Sequence, residues 1–440
     1  MQNLRALILI FSANLVSGFS QGITMVAIPW YIVSTLPGGQ GLNTTMVGVI
    51  TLISLFWGLY AGTLIDRYNR KRIFQLMNLT DGLFLLGIGL FGVLTGGLSF
   101  WLLAFIYGLT VFTYNLHYPN LYAFVQELFE RHLYAKVTSA IELQGQSTNA
   151  IGMFLGGMLI AGNPSWWPEA YSFAGWTLQE IFVLDGITYL ISFVLISFIP
   201  YAAAPNKRVD KGPIIERIVT GFRYLTQRSV LLSFGLISYL IFFTLLIIMQ
   251  VVMPAYVNSH LEATADIFAS FKGIYALGAI AAGILGLTLL KGGRNTARQV
   301  TALLVLCGSI YLVLFLTKSV WITLAVAMPI GLCNGGARIL RLTYLIKVVP
   351  NHVIGRVNAF FTVMNVVLRV AFIALLAIPF FTAPGNEPHI NYAFLMMGII
   401  LLGGALVLAG QRPLQTEPAE LPQPTNKSSM SPKPTKEAVS

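Results

Sequence analysis

The chain is built from long apolar runs, and these limit what it can fold into more than any other feature. A helix that crosses a bilayer needs ~20 mostly apolar residues. Twelve such runs lie between polar breaks, at roughly 6–35, 45–65, 73–95, 98–123, 136–162, 179–201, 229–257, 266–290, 299–317, 319–346, 355–381 and 392–410. In lipid every backbone N–H and C=O must find its partner internally, so runs of this length are expected as helices. Composition agrees: 56% of the 440 residues are hydrophobic and 10% charged, against ~25% charged in soluble domains. An ordinary soluble enzyme is excluded. Arg5 followed by Ala6–Phe11 opens like a signal peptide, but the run stays apolar to Leu36, too long for a cleaved segment, and is expected as a retained first span.

Basic residues set the orientation. Alternate breaks hold Arg67, Arg70, Lys71 and Arg72; Arg131 and Lys136; Lys207, Arg208, Lys211, Arg217, Arg223 and Arg228; Lys291, Arg294 and Arg298; then Lys347 and Arg356. The opposite breaks hold only Lys318. This asymmetry, and not nucleic-acid binding, accounts for the net charge of +11, and it predicts a multi-pass inner-membrane protein with both termini in the cytoplasm. Trp166, Trp167, Tyr171 and Trp176 crowd one opposite break as an interfacial belt. The expected organisation is a six-span bundle (1–201), a cytoplasmic linker (202–228), a second six-span bundle (229–410) and a disordered tail (411–440) that carries six prolines. In the linker Ile214, Ile218 and Phe222 share one face, as in a surface-lying amphipathic helix.

The two halves echo each other. Met25-Val-Ala-Ile-Pro29-Trp-Tyr31 matches Gln250-Val-Val-Met-Pro254-Ala-Tyr256; Gly62–Arg70 matches Gly286–Arg294; Tyr134–Val137 matches Ile354–Val357. Two equivalent bundles with a site between them can expose it to alternate sides by rocking, and this duplication points to a transporter.

Between spans 2 and 3 lies Gly62-Thr-Leu-Ile-Asp66-Arg67-Tyr-Asn-Arg70-Lys71-Arg72. It resembles the signature loop G-x-L-x-D-R-x-G-R-[RK] of the major facilitator superfamily. Asn69 stands where that signature has glycine, and a tolerated left-handed backbone is expected there. The resemblance implies an all-α fold of twelve spans in two pseudo-symmetric bundles. It also implies a gating role for Gly62, Asp66, Arg67, Arg70 and Lys71, with Asp66 reaching a basic group or helix N-terminus of the other bundle. Ile28-Pro29-Trp30, Asp185-Gly-Ile-Thr-Tyr-Leu190 and Val349–Val357 extend it to the drug and siderophore exporter branch, similar to macrolide-efflux and enterobactin-export proteins. Gly152-Met-Phe-Leu-Gly156-Gly157 is similar to the antiporter pattern G-P-x-x-G-G, with Met153 in place of proline; close helix packing by small residues is the other reading of these glycines.

Polar residues inside spans are costly and face a cavity or one another. Span 5 carries Ser139, Glu142, Gln146 and Asn149 as one stripe; span 4 carries Thr110, Tyr114 and His117; span 10 carries Asn334, Arg338 and Arg341; span 11 carries Asn358, Thr362, Asn365 and Arg369; span 1 carries Asn14, Ser17 and Gln21. The resemblance places these spans around a substrate cavity. Glu142 is the proton-coupling candidate, since a carboxyl away from bulk water can load and release protons near neutral pH; a fixed ion pair with Arg338, Arg341 or Arg369 is its alternative. Asp81 and Asp185, in spans expected to be peripheral, are expected in interhelical hydrogen bonds. Lys272 is expected to snorkel outward, and His117 to be a hydrogen-bonded helix histidine. Three arginines in the second bundle favour an anionic or zwitterionic amphiphile as substrate.

Other motifs fail on context. Gly87-Ile-Gly-Leu-Phe-Gly92 and Gly18-Phe-Ser-Gln-Gly22 match nucleotide and nucleophile patterns, but lie inside spans with no strand before them. No Walker A sequence or metal-ligand spacing is present, and Cys307 and Cys333 lie in apolar runs. The expectation is a non-enzymatic, cofactor-free, monomeric exporter of a small amphipathic compound, driven by protons through alternating access. An organic-anion or nutrient importer, a lysophospholipid flippase, and a non-transporting receptor or scaffold remain open.

Overall fold

A computed structural model describes residues 2–130, 133–162, 173–201, 214–288, 296–383 and 387–411. Within these helices the side chains of Gly62, Asp66, Ser139, Glu142 and Gln146, among others, lie outside the described residues, as do Trp166, Trp167, Tyr171, Lys291, Arg294 and the tail from 412.

The first half forms α1 (Gln2–Thr35), α2 (Gly39–Arg67), α3 (Arg70–Thr95), α4 (Phe100–Leu128), α5 (Tyr134–Ala161) and α6 (Leu178–Ser197). A short helix, α7 (Ile214–Thr226), leads to the second half. There α8 (Ser229–Ile247) continues through a π-turn, α9 (Met253–Ala255) and a second π-turn ending at His260. After it come α10 (Ala265–Thr288), α11 (Thr296–Leu316), α12 (Val320–Val348), α13 (Asn351–Leu376), α14 (Pro379–Thr382) and α15 (Tyr392–Gly410). Eleven described helices are long and apolar enough to cross a membrane; α5, 28 residues long, stands among them as the twelfth long helix.

Local chemistry sets several boundaries. Gly38, at φ 66°, makes the tight corner between α1 and α2, a backbone that favours glycine. Thr177 and Glu180 form a capping box at the start of α6. Asn69 caps α3, its side chain accepting the Arg72 N–H from an extended backbone at φ −63°. The left-handed conformation expected at Asn69 is therefore absent: the residue serves as an N-cap.

Glycines draw helices together. In α3 and α6, Gly82 faces the Gly186 carbonyl and Leu190, while Gly186 faces the backbone of Leu86. In α5, Gly152 and Gly156 lie against α1 at Phe19 and Ile23, and Gly157 lies against Ala265 and Ala269 of α10. The helix α5 thereby joins one half of the chain to the other, as small residues permit. The linker helix α7 packs on α13, with Gly221 against the Arg356 carbonyl and Phe222 against Phe360 (ring centroids 5.4 Å apart).

The apolar core is divided unevenly along the membrane normal. One continuous cluster joins the halves at the end remote from the basic loops, with Ile23, Ile28, Ile32, Ile50, Ile106 and Phe182 from the first half and Val251, Val257, Phe268 and Phe394 from the second, and within the second half it runs on to Ala297, Val300 and Leu408 near the basic end. At the basic end no cluster of the described residues joins the halves. Ala6, Ile10, Phe74, Phe124 and Ile196 form one, and Leu225, Leu231, Leu345, Val357 and Phe361 form another, each from a single half.

Two prolines explain polar contacts across the sealed end. Proline lacks an N–H, so the carbonyl four residues earlier loses its helical donor. Pro29 frees the Met25 carbonyl, which accepts Lys272 Nζ from α10 at 3.4 Å. Pro254 frees the Gln250 carbonyl, which accepts Asn43 Nδ2 from α2 at 3.0 Å. These prolines are the matched positions of the internal repeat, and each freed carbonyl is taken by a side chain from the opposite half. Lys272 consequently does not snorkel: it is buried, with its ammonium 4.4 Å from the Phe268 ring centroid.

Candidate functional site

A polar cleft lies within the first bundle, between α1, α4, α5 and α6. Asn14 is its hub. His117 Nε2 and Asn14 Oδ1 are 3.0 Å apart, Asn14 Nδ2 donates to Gln144 Oε1 at 3.1 Å, and Gln144 Nε2 donates to the Phe11 carbonyl at 2.7 Å. Ser17, Gln21, Thr113, Tyr118, Asn149 and Tyr189 complete the lining. The structure thus brings together Asn14, Gln21, His117 and Asn149 from three helices. The chain makes this possible by placing each polar residue on the inward stripe of its helix.

A second group stands across the seam. Tyr114 of α4 lies within electrostatic reach of Tyr275 of α10. The Tyr275 hydroxyl accepts Asn334 Nδ2 at 2.8 Å and also lies within reach of Arg338. Arg338, within α12, is exposed. Arg341 points elsewhere: it is 4% exposed, donates to the Ser238 carbonyl of α8 at 2.9 Å and stacks over Tyr239 at 3.6 Å. Arg369 of α13 lies within reach of Tyr107 of α4, and Asn365 is buried with its Nδ2 lacking a partner. The Tyr239 face accompanies the buried Arg341, as suits a guanidinium group removed from water.

The loop between α2 and α3 is tied to its own bundle. Arg70 donates to the Ala123 carbonyl at 2.7 Å and pairs with Glu127 at 2.6 Å. Lys71 donates to the carbonyls of Ser197 and Ile199, each at 2.8 Å. Arg67 is exposed beside Tyr68. Glu127 also accepts the Tyr201 hydroxyl. Burial first, then the bond to and charge of Glu127, raise Tyr201 above the ordinary phenol range, with Arg70 opposing.

Gln144, Tyr118, Tyr275, Tyr239 and Tyr107 are absent from the sequence expectations. Tyrosines count as apolar in a hydropathy pattern, so no polar stripe marks them. Gln144 sits two residues from Glu142 and therefore off the stripe that drew attention to α5. Glu142, Gln146 and Asp66 lie outside the described side chains, and no metal-binding group of His, Cys, Asp and Glu occurs among the described residues.

Comparison with known proteins agrees with this architecture. The family model described as Major Facilitator Superfamily matches residues 10–373. Enterobactin exporter EntS from Shigella boydii is 26% identical over 420 residues, 94% of each chain, and the protein of that name from Escherichia coli gives the same figures. Among solved structures, a bacterial homologue of the human lysosomal transporter Spinster, inward-facing and unoccupied, aligns with a TM-score of 0.64 at 14% identity, covering 94% of this chain and 96% of the other. A D-xylose–proton symporter aligns with a TM-score of 0.63 at 13% identity, covering 94% and 98%. A duplicated helical frame, sealed at one end around a polar cleft and matched along most of its length by the family model, makes this chain a membrane transporter of the Major Facilitator Superfamily.

Proposed function

We propose that the chain exports a small amphipathic compound by alternating access, driven by protons moving the opposite way, with the basic end and both termini in the cytoplasm. The observation that carries this reading is the asymmetry of the seam. One apolar core joins the halves at the remote end, while each half keeps its own core at the basic end. In this reading a compound enters between the halves from the basic end and leaves once the seal moves there. The similarity to exporters of a siderophore supports the outward direction. Arg338 beside Tyr275 and Asn334 favours a substrate with both an aromatic or apolar body and a negative group.

Proton coupling is assigned to Glu142 on α5, the helix whose glycines touch both halves. The test is flux in proteoliposomes under an imposed pH gradient, over a panel of drugs, siderophores and lysolipids. Gradient-driven efflux of at least one anionic or zwitterionic amphiphile is expected. Glu142→Gln is expected to abolish the gradient-driven component and spare equilibrium binding; unchanged pH-driven transport in that variant refutes the assignment.

A further inference from the structure

Two carboxylates lie behind the cleft without a cation. Asp81 on α3 and Asp185 on α6 are 2% and 1% exposed. The close approach of Gly82 to Gly186 brings their helices together, and the two groups lie within electrostatic reach of each other. Each accepts one hydroxyl: Thr113 of α4 donates to Asp81 Oδ1 at 3.0 Å, and Thr24 of α1 donates to Asp185 Oδ2 at 2.5 Å. The second oxygens, Asp81 Oδ2 and Asp185 Oδ1, are buried with no donor. Tyr189, one turn beyond Asp185 and 5% exposed, reaches both carboxylates electrostatically and has no hydrogen bond among the described residues. Thr113 and Tyr189 also line the cleft, so these two side chains stand between its interior and the acids.

The surrounding charges do not balance the pair. From α4 the titratable neighbours in the cleft are His117 and Tyr118; α6 gives Tyr189, and α1 gives only the Thr24 hydroxyl at this level. Lys272 of α10 reaches α1 one residue further on, but is directed at the Met25 carbonyl and the Phe268 ring. Neither carboxylate has a Lys, Arg or His partner among the described residues. Two anions within electrostatic reach of each other inside an apolar bundle with no cation are strongly disfavoured, and at least one such carboxyl holds a proton instead.

We propose that Asp81 and Asp185 form a proton-binding site in which the two neighbouring carboxyls hold at least one proton while the remote end is sealed. Loading takes a proton from water in the cleft and forms one O–H bond on a free carboxylate oxygen; no electron moves. The Tyr189 and Thr113 hydroxyls offer the path. Thr24 connects the site to the seal, because the next residue on α1 supplies the carbonyl that Lys272 holds. Release of the proton leaves two repelling charges on α3 and α6, the second bonded to α1 through Thr24, and so favours the conformer in which α1 has moved and water reaches the acids. This deepens the proton-coupled reading and rests on it for the consequence in transport; protonation of the pair stands apart from Glu142.

The experiment uses the full chain, purified and labelled with ¹³C at the aspartate side-chain carboxyl, which isolates five groups. Infrared spectra at neutral pH are expected to show a label-shifted C=O stretch of a protonated carboxylic acid. That band is expected to vanish in Asp81→Asn/Asp185→Asn. No label-shifted acid band in the wild-type chain overturns the proposal, whether or not the variants fold. So does a band that survives the double substitution, or one abolished by sodium but not potassium chloride, which marks a sodium site. In proteoliposomes Asp185→Asn is expected to lose at least tenfold of pH-gradient-driven flux while downhill exchange continues. A band present alongside coupling lost in Glu142→Gln leaves the pair standing as a second site. Lack of transport of any tested compound refutes the exporter reading, and the band still decides the proton site.

Discussion

The two ends of the molecule are held by different means. At the remote end, residues of both halves share one apolar core, crossed by Asn43 and Lys272 reaching proline-freed carbonyls and by the contact of Gly157 with α10. At the basic end, Arg70 pairs with Glu127 and Tyr201 bonds to Glu127, contacts internal to one half. The alternating access proposed above requires rigid halves and a seam that can part. Among the described residues the Arg70–Glu127 ion pair lies inside a half, while the seam has small residues and single hydrogen bonds.

The largest effect is expected from Gly157→Val. A side chain there meets Ala269 and the Ala265 carbonyl, and overpacking costs about 1–3 kcal/mol, which shifts a two-state balance by roughly 5- to 150-fold. Spin labels at Thr35 and Phe380, on opposite sides of the seam and both exposed, are expected to move apart and transport to fall accordingly; an unchanged distance breaks the contrast between the ends. A middle effect is expected at the two proline-freed carbonyls. Asn43→Val strands the Gln250 carbonyl at a cost of about 1–3 kcal/mol. Lys272→Met costs less, about 1 kcal/mol or below, because its bond is longer and an isolated buried ammonium is removed. The two changes are expected to add. Pro254→Ala, which returns the Gln250 carbonyl to its helix, is expected to erase the effect of Asn43→Val in a double-mutant cycle read from the same label distance.

The smallest effect belongs to the basic end. Tyr201→Phe is expected to cost about 0.5–1.5 kcal/mol of thermal stability and to leave the label distance unchanged. Its pH dependence has a definite sign. The folded chain holds Tyr201 above the ordinary phenol value, near 10. The stabilisation is therefore complete below about pH 10 and is lost as pH rises beyond it. Melting curves of the wild-type chain should fall more steeply above that pH than those of Tyr201→Phe.

Several departures from the sequence expectation have one cause. The second run was expected from 45, yet α2 begins at Gly39. Asn43 and Thr44 looked like an interhelical break, but they are buried residues of the seam. The eleventh run was expected to end at 381, but α13 stops at Leu376 and α14 restarts at Pro379, since a proline disfavours helix in the residue before it. Lys272 was expected at the surface because a lone lysine in a span has no visible partner in sequence. Its acceptor is a backbone carbonyl freed by a proline 243 positions away. Asp81 and Asp185 are 104 residues apart, and neither carries a sign that the other lies within reach of it.

What the sequence determined by itself was the helical crossings, the basic end and the duplication. These follow from hydropathy, charge and repeated patterns, all of which act over short stretches of chain. The tertiary structure alone decided which end is sealed, that the repeated prolines offer their carbonyls to the opposite half, and that two aspartates meet behind the cleft. Those features depend on backbone approaches between distant helices, set by single glycines and by burial, and such approaches exist only once the bundles have packed.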